Sequence, residues 1–220
     1  MSGFDISVIL DALPLLAKGL GLSLGLTAIA MIGGLALGLV IAIVRLSRFR
    51  VLALLAALYV NGFRAVPLIL VIFWFYFLVP LLLGRPVGAL YSVLIAFVMF
   101  EGAYYSEIIR AGLKSVRPGQ WQAAQASGMT YLQAVRLVVL PQALRKMAPL
   151  MVTQGVVLFQ DTSLVYVVSL HDFMTSASIV ANTQNRIVEL YVFAALVYLA
   201  LCTAGGTLAQ RLSSDRQRAH

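Results

Sequence analysis

Apolar residues run in long blocks separated by short basic or polar segments, a pattern on the scale of a bilayer and not of one helix face. Residues 19–44 form the first block. Within it Gly34 and Gly38 make a G-x-x-x-G pair, and Ser23, Gly25 and Thr27 add small positions that let another helix come close. Residues 51–83 are apolar again but are broken at Asn61-Gly62-Phe63-Arg64-Ala65-Val66-Pro67. That stretch exceeds one span and falls short of two with a loop. It predicts one helix kinked near Pro67, tilted or partly interfacial, with two short re-entrant segments as the alternative. Further spans are expected over residues 89–110, 147–170 and 188–209. Residues 84–88 read as a turn, 111–146 as a basic connecting segment, and 171–187 as a polar connection carrying Asp172 and Arg186.

Composition supports a membrane-embedded chain. Of 220 residues, 61% are hydrophobic and 11% charged, too few to cover so many apolar helices in water. The expected class is therefore an all-α membrane protein with five transmembrane helices, a single membrane domain over residues 1–220. The net charge of +8 does not form a patch interleaved with aromatics, so it points away from nucleic acid. It sits between apolar blocks, at Arg45, Arg48 and Arg50, again at Lys114, Arg117, Arg136, Arg145 and Lys146, and in a tail with Arg211, Arg216 and Arg218. The positive-inside rule then assigns those segments to the cytoplasm, with the N-terminus outside and the C-terminus inside. Asp5 and Asp11 precede the first basic residue, Lys18, unlike a cleavable signal, so the first block is expected to remain as a span. The lone Cys202 excludes an internal disulfide or a cysteine-based metal cluster. The chain carries no P-loop, catalytic triad or metal-ligand cluster, so neither catalysis nor a bound cofactor is expected.

The segment 111–146 is too organised for a linker. Residues 121–130 read as a short helix closed by Gly128. A second helix over 131–139 places Leu132, Val135, Val138 and Val139 on one side, and Pro141 is expected to break it before the next span. Two roles remain open on these residues: a plain connector, or an alanine-rich element that inserts into a partner's groove.

Here the chain resembles a known family. Gln122-Ala123-Ala124, three residues, Gly128, nine residues and Val138-Val139-Leu140-Pro141 is similar to the cytoplasmic signature E-A-A, G, I-x-L-P of ABC-importer permeases, with Gln122 and Val138 departing from it. Phe63-Arg64-Ala65-Val66-Pro67-Leu68 resembles the F-R-x-x-P-L segment of the polar-amino-acid branch. The stretch from Glu101 to Gly112 resembles its E-A-A-Y-x-x-E-I-x-R-x-G segment. Gln160-Asp161-Thr162-Ser163-Leu164 resembles K-x-T-S-L, with Gln160 in place of lysine. The likeness leans toward glutamate/aspartate importers, with glutamine, histidine or arginine as alternative cargoes. It implies the type I importer (MetI-like) fold in a bacterial inner membrane. It also implies a second permease subunit, two cytoplasmic ATP-binding subunits that hold ATP and Mg, and a periplasmic amino-acid-binding protein. The coupling to the ATPase would fall to Gln122, Ala123, Ala124, Gly128 and Pro141. An ion-coupled transporter acting alone would call for internal repeats, which the sequence lacks, and a purely structural membrane subunit is the third alternative.

Three charges fall inside apolar blocks: Arg64, Glu101 and Asp161. Counted along straight helices from the cytoplasmic edge they lie roughly 21, 14 and 22 Å deep. Such groups need a partner or a wet path. They are expected to line the translocation path, with Arg64 neutralised by one or both acids and able to meet an α-carboxylate. A structural ion pair is the alternative, and for Asp161 a helix cap at Thr162. Glu107 and Arg110 read as an interfacial pair, and His171 as an interface residue. Trp74, Tyr76, Tyr104 and Tyr105 read as cavity wall or packing.

Overall fold

The computed structural model describes residues 4–214, so Arg216 and Arg218 of the basic tail lie outside the described residues. The first helix, α1, runs Ser7–Leu46, beginning well before residue 19 because Pro14 is absorbed inside it. Then come α2 (Arg50–Ala65), α3 (Leu68–Phe73), a π turn (Trp74–Leu78) and α4 (Val79–Leu83). The remaining helices are α5 (Ala89–Lys114), α6 (Pro118–Ala126), α7 (Tyr131–Ala134), α8 (Leu140–Asp161), α9 (Phe173–Thr183) and α10 (Ile187–Ser214). A second π turn, Val135–Val139, joins α7 to α8, and a 3₁₀ turn, Thr162–Val168, follows α8.

Helix α1 packs against α5 through small residues. A Cβ added to Gly34 would stand 2.6 Å from the Cβ of Glu101, and one added to Gly38 would stand 2.8 Å from the Ser106 nitrogen. Both contacts advance together along the two helices, and Arg45 then meets Glu107, so α1 and α5 run in the same direction. The chain between them must therefore return from the end where α1 stops to the end where α5 starts. The bent pair α2–α4 makes that return, with an angle of 109° between its arms. Val66 before Pro67 is extended, as the proline ring requires of its neighbour. The first arm buries Val60 alone, whereas Leu68, Val71 and Ile72 of the second enter the core with Val93, Phe97 and Phe100.

The other differences from the sequence reading have local causes. Pro141 does not break the helix; it sits in the first turn of α8, directly after the π turn. The wide turn lets the Leu140 N–H donate to the Val135 carbonyl, five residues back, and relieves the crowding a proline imposes on the preceding turn. The same device precedes Pro80, where the Val79 N–H donates to the Trp74 carbonyl. Residues 131–146 thus belong to a helical run that reaches Val168 and not to a separate connecting segment. Residues 171–187 also fold inward. Asp172 is buried and caps α9, accepting from the Met174 and Thr175 N–H groups at 3.0 Å each. α9 then packs on α1, where a Cβ on Gly19 would stand 2.6 Å from the Asp172 carbonyl oxygen.

Gly38→Leu should force α1 and α5 apart at backbone contact and lower stability by about 1–3 kcal/mol. Gly21→Ala, which meets nothing within 4 Å, should leave it unchanged or slightly raised. Thermal unfolding in detergent compares the two.

Candidate translocation site and coupling element

A cavity of about 400 Å³ opens between α3, α5 and α8. Its wall includes Pro67, Leu68, Phe100, Tyr104, Gln154, Val157, Asp161 and Leu164. Asp161 ends α8 and is half-buried; it stands at the cap position of the 3₁₀ turn, yet its side chain makes no capping hydrogen bond. The capping alternative is therefore not what the structure holds. Glu101 is fully buried behind this wall. Its Oε1 accepts from Gln154 Nε2 at 3.1 Å, and its Oε2 is buried with no hydrogen-bond partner. Gln154, which carried no signal as a lone amide in an apolar run, is thus the group between Glu101 and the cavity.

Arg64 stands elsewhere. It pairs with neither Glu101 nor Asp161, and its ion-pair partner is Glu107 at 4.0 Å. Its guanidinium lies 5.4 Å from the centroid of the Tyr104 ring, so Tyr104 separates it from the cavity whose wall that ring forms. Arg64 is not at the depth counted along a straight helix: the Glu107 carboxylate that it approaches is the one that Arg45 binds at 2.7 Å. Arg64 therefore sits at the level of the Arg45 end of α1.

Glu107 is a hub for three cations. It receives Arg45 at 2.7 Å from α1, Arg110 from its own helix, and Arg64 at longer range from α2. The expected Glu107–Arg110 pair exists, but the links to Arg45 and Arg64 could not be read from spacing within one helix. Two of the four singled-out aromatics serve packing: Tyr105 is fully buried and Tyr76 lies against the main core. Trp74 is exposed, and Tyr104 lines the cavity.

At the same end as Glu107, α6 lies at the edge of the bundle, with Trp121 packed on the cluster that holds Ile109, Val139 and Met147. Gly128 adopts φ +75 after the helix, a conformation that costs any residue with a Cβ, and its N–H donates to the Gln125 carbonyl at 3.0 Å. Thr130 and Gln133 form a reciprocal capping box that starts α7 at once. Trp121 stacks on Tyr131 with centroids 5.3 Å apart, and Gln142 Nε2 donates to Gln120 Oε1 at 3.1 Å. These contacts hold α6 at a fixed angle. Gln122, Ala123 and Gly128 are exposed, Ala124 is buried against its own chain, and Pro141 is half-buried. Among the described residues no cluster of three or more His, Cys, Asp or Glu could hold a metal ion.

An all-α bundle with four helices long and apolar enough to cross a bilayer, a bent return and a short surface helix is the architecture of a multi-spanning permease. The sequence profile of the binding-protein-dependent transport system inner membrane component matches residues 34–218, and the chain belongs to that family. It is a transmembrane permease subunit of an ABC-type importer for polar amino acids and a multi-pass inner-membrane protein, not the subunit that hydrolyses ATP. It is 46% identical over 219 residues to the glutamate/aspartate import permease protein GltK of Escherichia coli O157:H7, covering 96% of this chain and 98% of that one. A chain of an amino acid ABC transporter solved with histidines superposes with a TM-score of 0.89 at 30% identity, over 99% of this chain and 100% of that chain. The MetNI methionine ABC transporter in an inward-facing conformation shares the fold at 18% identity, with a TM-score of 0.72 over 96% of this chain and 99% of that chain.

Glu107→Gln leaves three guanidiniums facing one another and should lower stability by about 1–3 kcal/mol. Arg64→Ala removes a long, half-exposed ion pair and the contact over the Tyr104 ring, each worth up to about 1 kcal/mol. Unfolding midpoints of the two variants in detergent, at low and high salt, check the order.

Proposed function

We propose that this permease carries an acidic amino acid, glutamate or aspartate, inward by alternating access driven by partner ATPases. The observation that carries the cargo assignment is the 46% identity with GltK over nearly the whole of both chains. The partners in this reading are a second permease subunit, two ATP-binding subunits that hold ATP and Mg, and a periplasmic amino-acid-binding protein. The basic Arg45–Arg50 connection and α6 would face the cytoplasm, with the N-terminus in the periplasm and the C-terminus in the cytoplasm. Nucleic acid has no part in it.

Arg64, Glu101 and Asp161 would act at different points of the path. The unpartnered Asp161 carboxylate suits the cargo's ammonium. Arg64, held loosely by Glu107, suits a carboxylate near the cytoplasmic mouth. Glu101 would act from behind Gln154, without lining the cavity. Coupling would run through Gln122, Ala123, Ala124, Gly128 and Pro141. The exposed members would enter the ATPase cleft, Ala124 would seat α6 on its own chain, and Pro141 would lead into α8. ATP-driven movement of α6 would then pass along the helical run that carries Gln154 and Asp161.

The test is a complex reconstituted with candidate partners, reading ATPase stimulation by glutamate, glutamine and arginine through the binding protein. Stimulation by glutamate several-fold above the others supports the assignment; an equal response to arginine contradicts it. Ala123→Trp, on the exposed face of α6, should abolish uptake by blocking the ATPase cleft, and undiminished uptake would remove α6 from the coupling role.

A further inference from the structure

We propose that Glu101 is a positioning residue that fixes the Gln154 side-chain amide, so that the Gln154 carbonyl oxygen faces the cavity as a selectivity group for the cargo's primary ammonium. The inference rests on the reading of the cavity as the cargo path. It concerns the amino end of the cargo, whichever amino acid that is.

The chemistry is set by what each group can offer. The Glu101 oxygen that meets Gln154 acts as an acceptor, so the amide must turn its NH₂ inward; that contact is the 3.1 Å bond from Nε2 to Oε1. Glu101 is fully buried and cannot exchange this partner for water. Its second oxygen has no hydrogen bond at all, so the amide is the one group that engages the carboxyl. With one amide N–H committed to Glu101, the acceptor that Gln154 can offer the cavity is its carbonyl oxygen. Gln154, Val157, Asp161 and Leu164 recur at helical spacing, and all line the same hollow.

The cavity wall then has a consistent sign. It offers an amide oxygen, a carboxylate and the rings of Phe100 and Tyr104, with no side-chain cation on the wall itself. Oxygen acceptors and π faces favour a primary ammonium over an anion. An acidic cargo would thus be read at its amino end here, while its carboxylates point toward Arg64. Were the amide to flip, an NH₂ group would face the ammonium and discrimination would be lost.

Equilibrium binding of glutamate and of its deamino analogue glutarate is measured on the permease–ATPase complex in nanodiscs, without the binding protein. The expected result is that Gln154→Met lowers the glutamate-over-glutarate preference roughly tenfold, the worth of one charge-assisted hydrogen bond. Glu101→Gln, whose amide can also donate, should lower it several-fold, and should have no further effect in a Gln154→Met background. An unchanged preference in Gln154→Met overturns the proposal, whether or not the Glu101 variant folds. An equal loss from Glu101→Gln in both backgrounds also overturns it, because Glu101 would then act without Gln154. If the wild-type complex binds glutamine or arginine in place of glutamate, the cargo assignment fails. The same comparison with that amino acid and its deamino analogue still decides the role of Glu101.

Discussion

The close parallel crossing of α1 and α5 is the constraint on which the other features depend. In hydrocarbon there is little hydrophobic gain in bringing two helices together, so the contact relies on backbone proximity, and Gly34 and Gly38 provide it. Once these helices run the same way, the chain between them has to cross back, and the 109° bend at Pro67 follows within that return. The crossing also seats Glu101 beside Gly34 and brings Arg45 to Glu107. Polar groups that would be prohibitively exposed on a lone helix are thereby enclosed or paired.

From that frame the molecule divides its charges by level. The Glu107 hub gathers cations from three helices at the α6 end of the bundle. The cavity level, by contrast, holds acids and amides: Glu101, Gln154 and Asp161. The two levels thus pass from acceptor-rich to cation-rich along α5. The helical run from α7 through the π turn into α8 carries Gln154 and Asp161, and α6 is tied to it by the Trp121–Tyr131 stack and the Gln142–Gln120 hydrogen bond.

The apolar blocks made the membrane class legible, and four spaced motifs carried the family. The G-x-x-x-G pair in the first block marked the surface that α5 occupies. What failed did so where tertiary geometry overrides local counting. Counting along a helix gives Arg64 a depth, but its contact with Glu107, shared with Arg45, places it near the end of α1. Pro141 was read as a breaker, but the π turn before it accommodates the ring. The polar residues 171–187 read as a connection, although Asp172 before Phe173 is a helix-start signal for α9, which buries one face through Phe173, Ala177 and Ala181. Of the site, Asp161 was visible as a charge in an apolar run. Gln154 and the reach of Glu107 to two other helices were not, because neither is encoded by spacing along one element.

The central claim is that cargo passes through the hollow between α3, α5 and α8. A single thiol at Val157, on the wall of that hollow, placed in a Cys202→Ser background, tests it most directly. Its labelling by a water-soluble thiol reagent is followed in the assembled transporter. The account predicts that labelling differs between nucleotide-free and ATP-bound complexes and is slowed by the transported amino acid. Labelling at one rate in all of these conditions would contradict it.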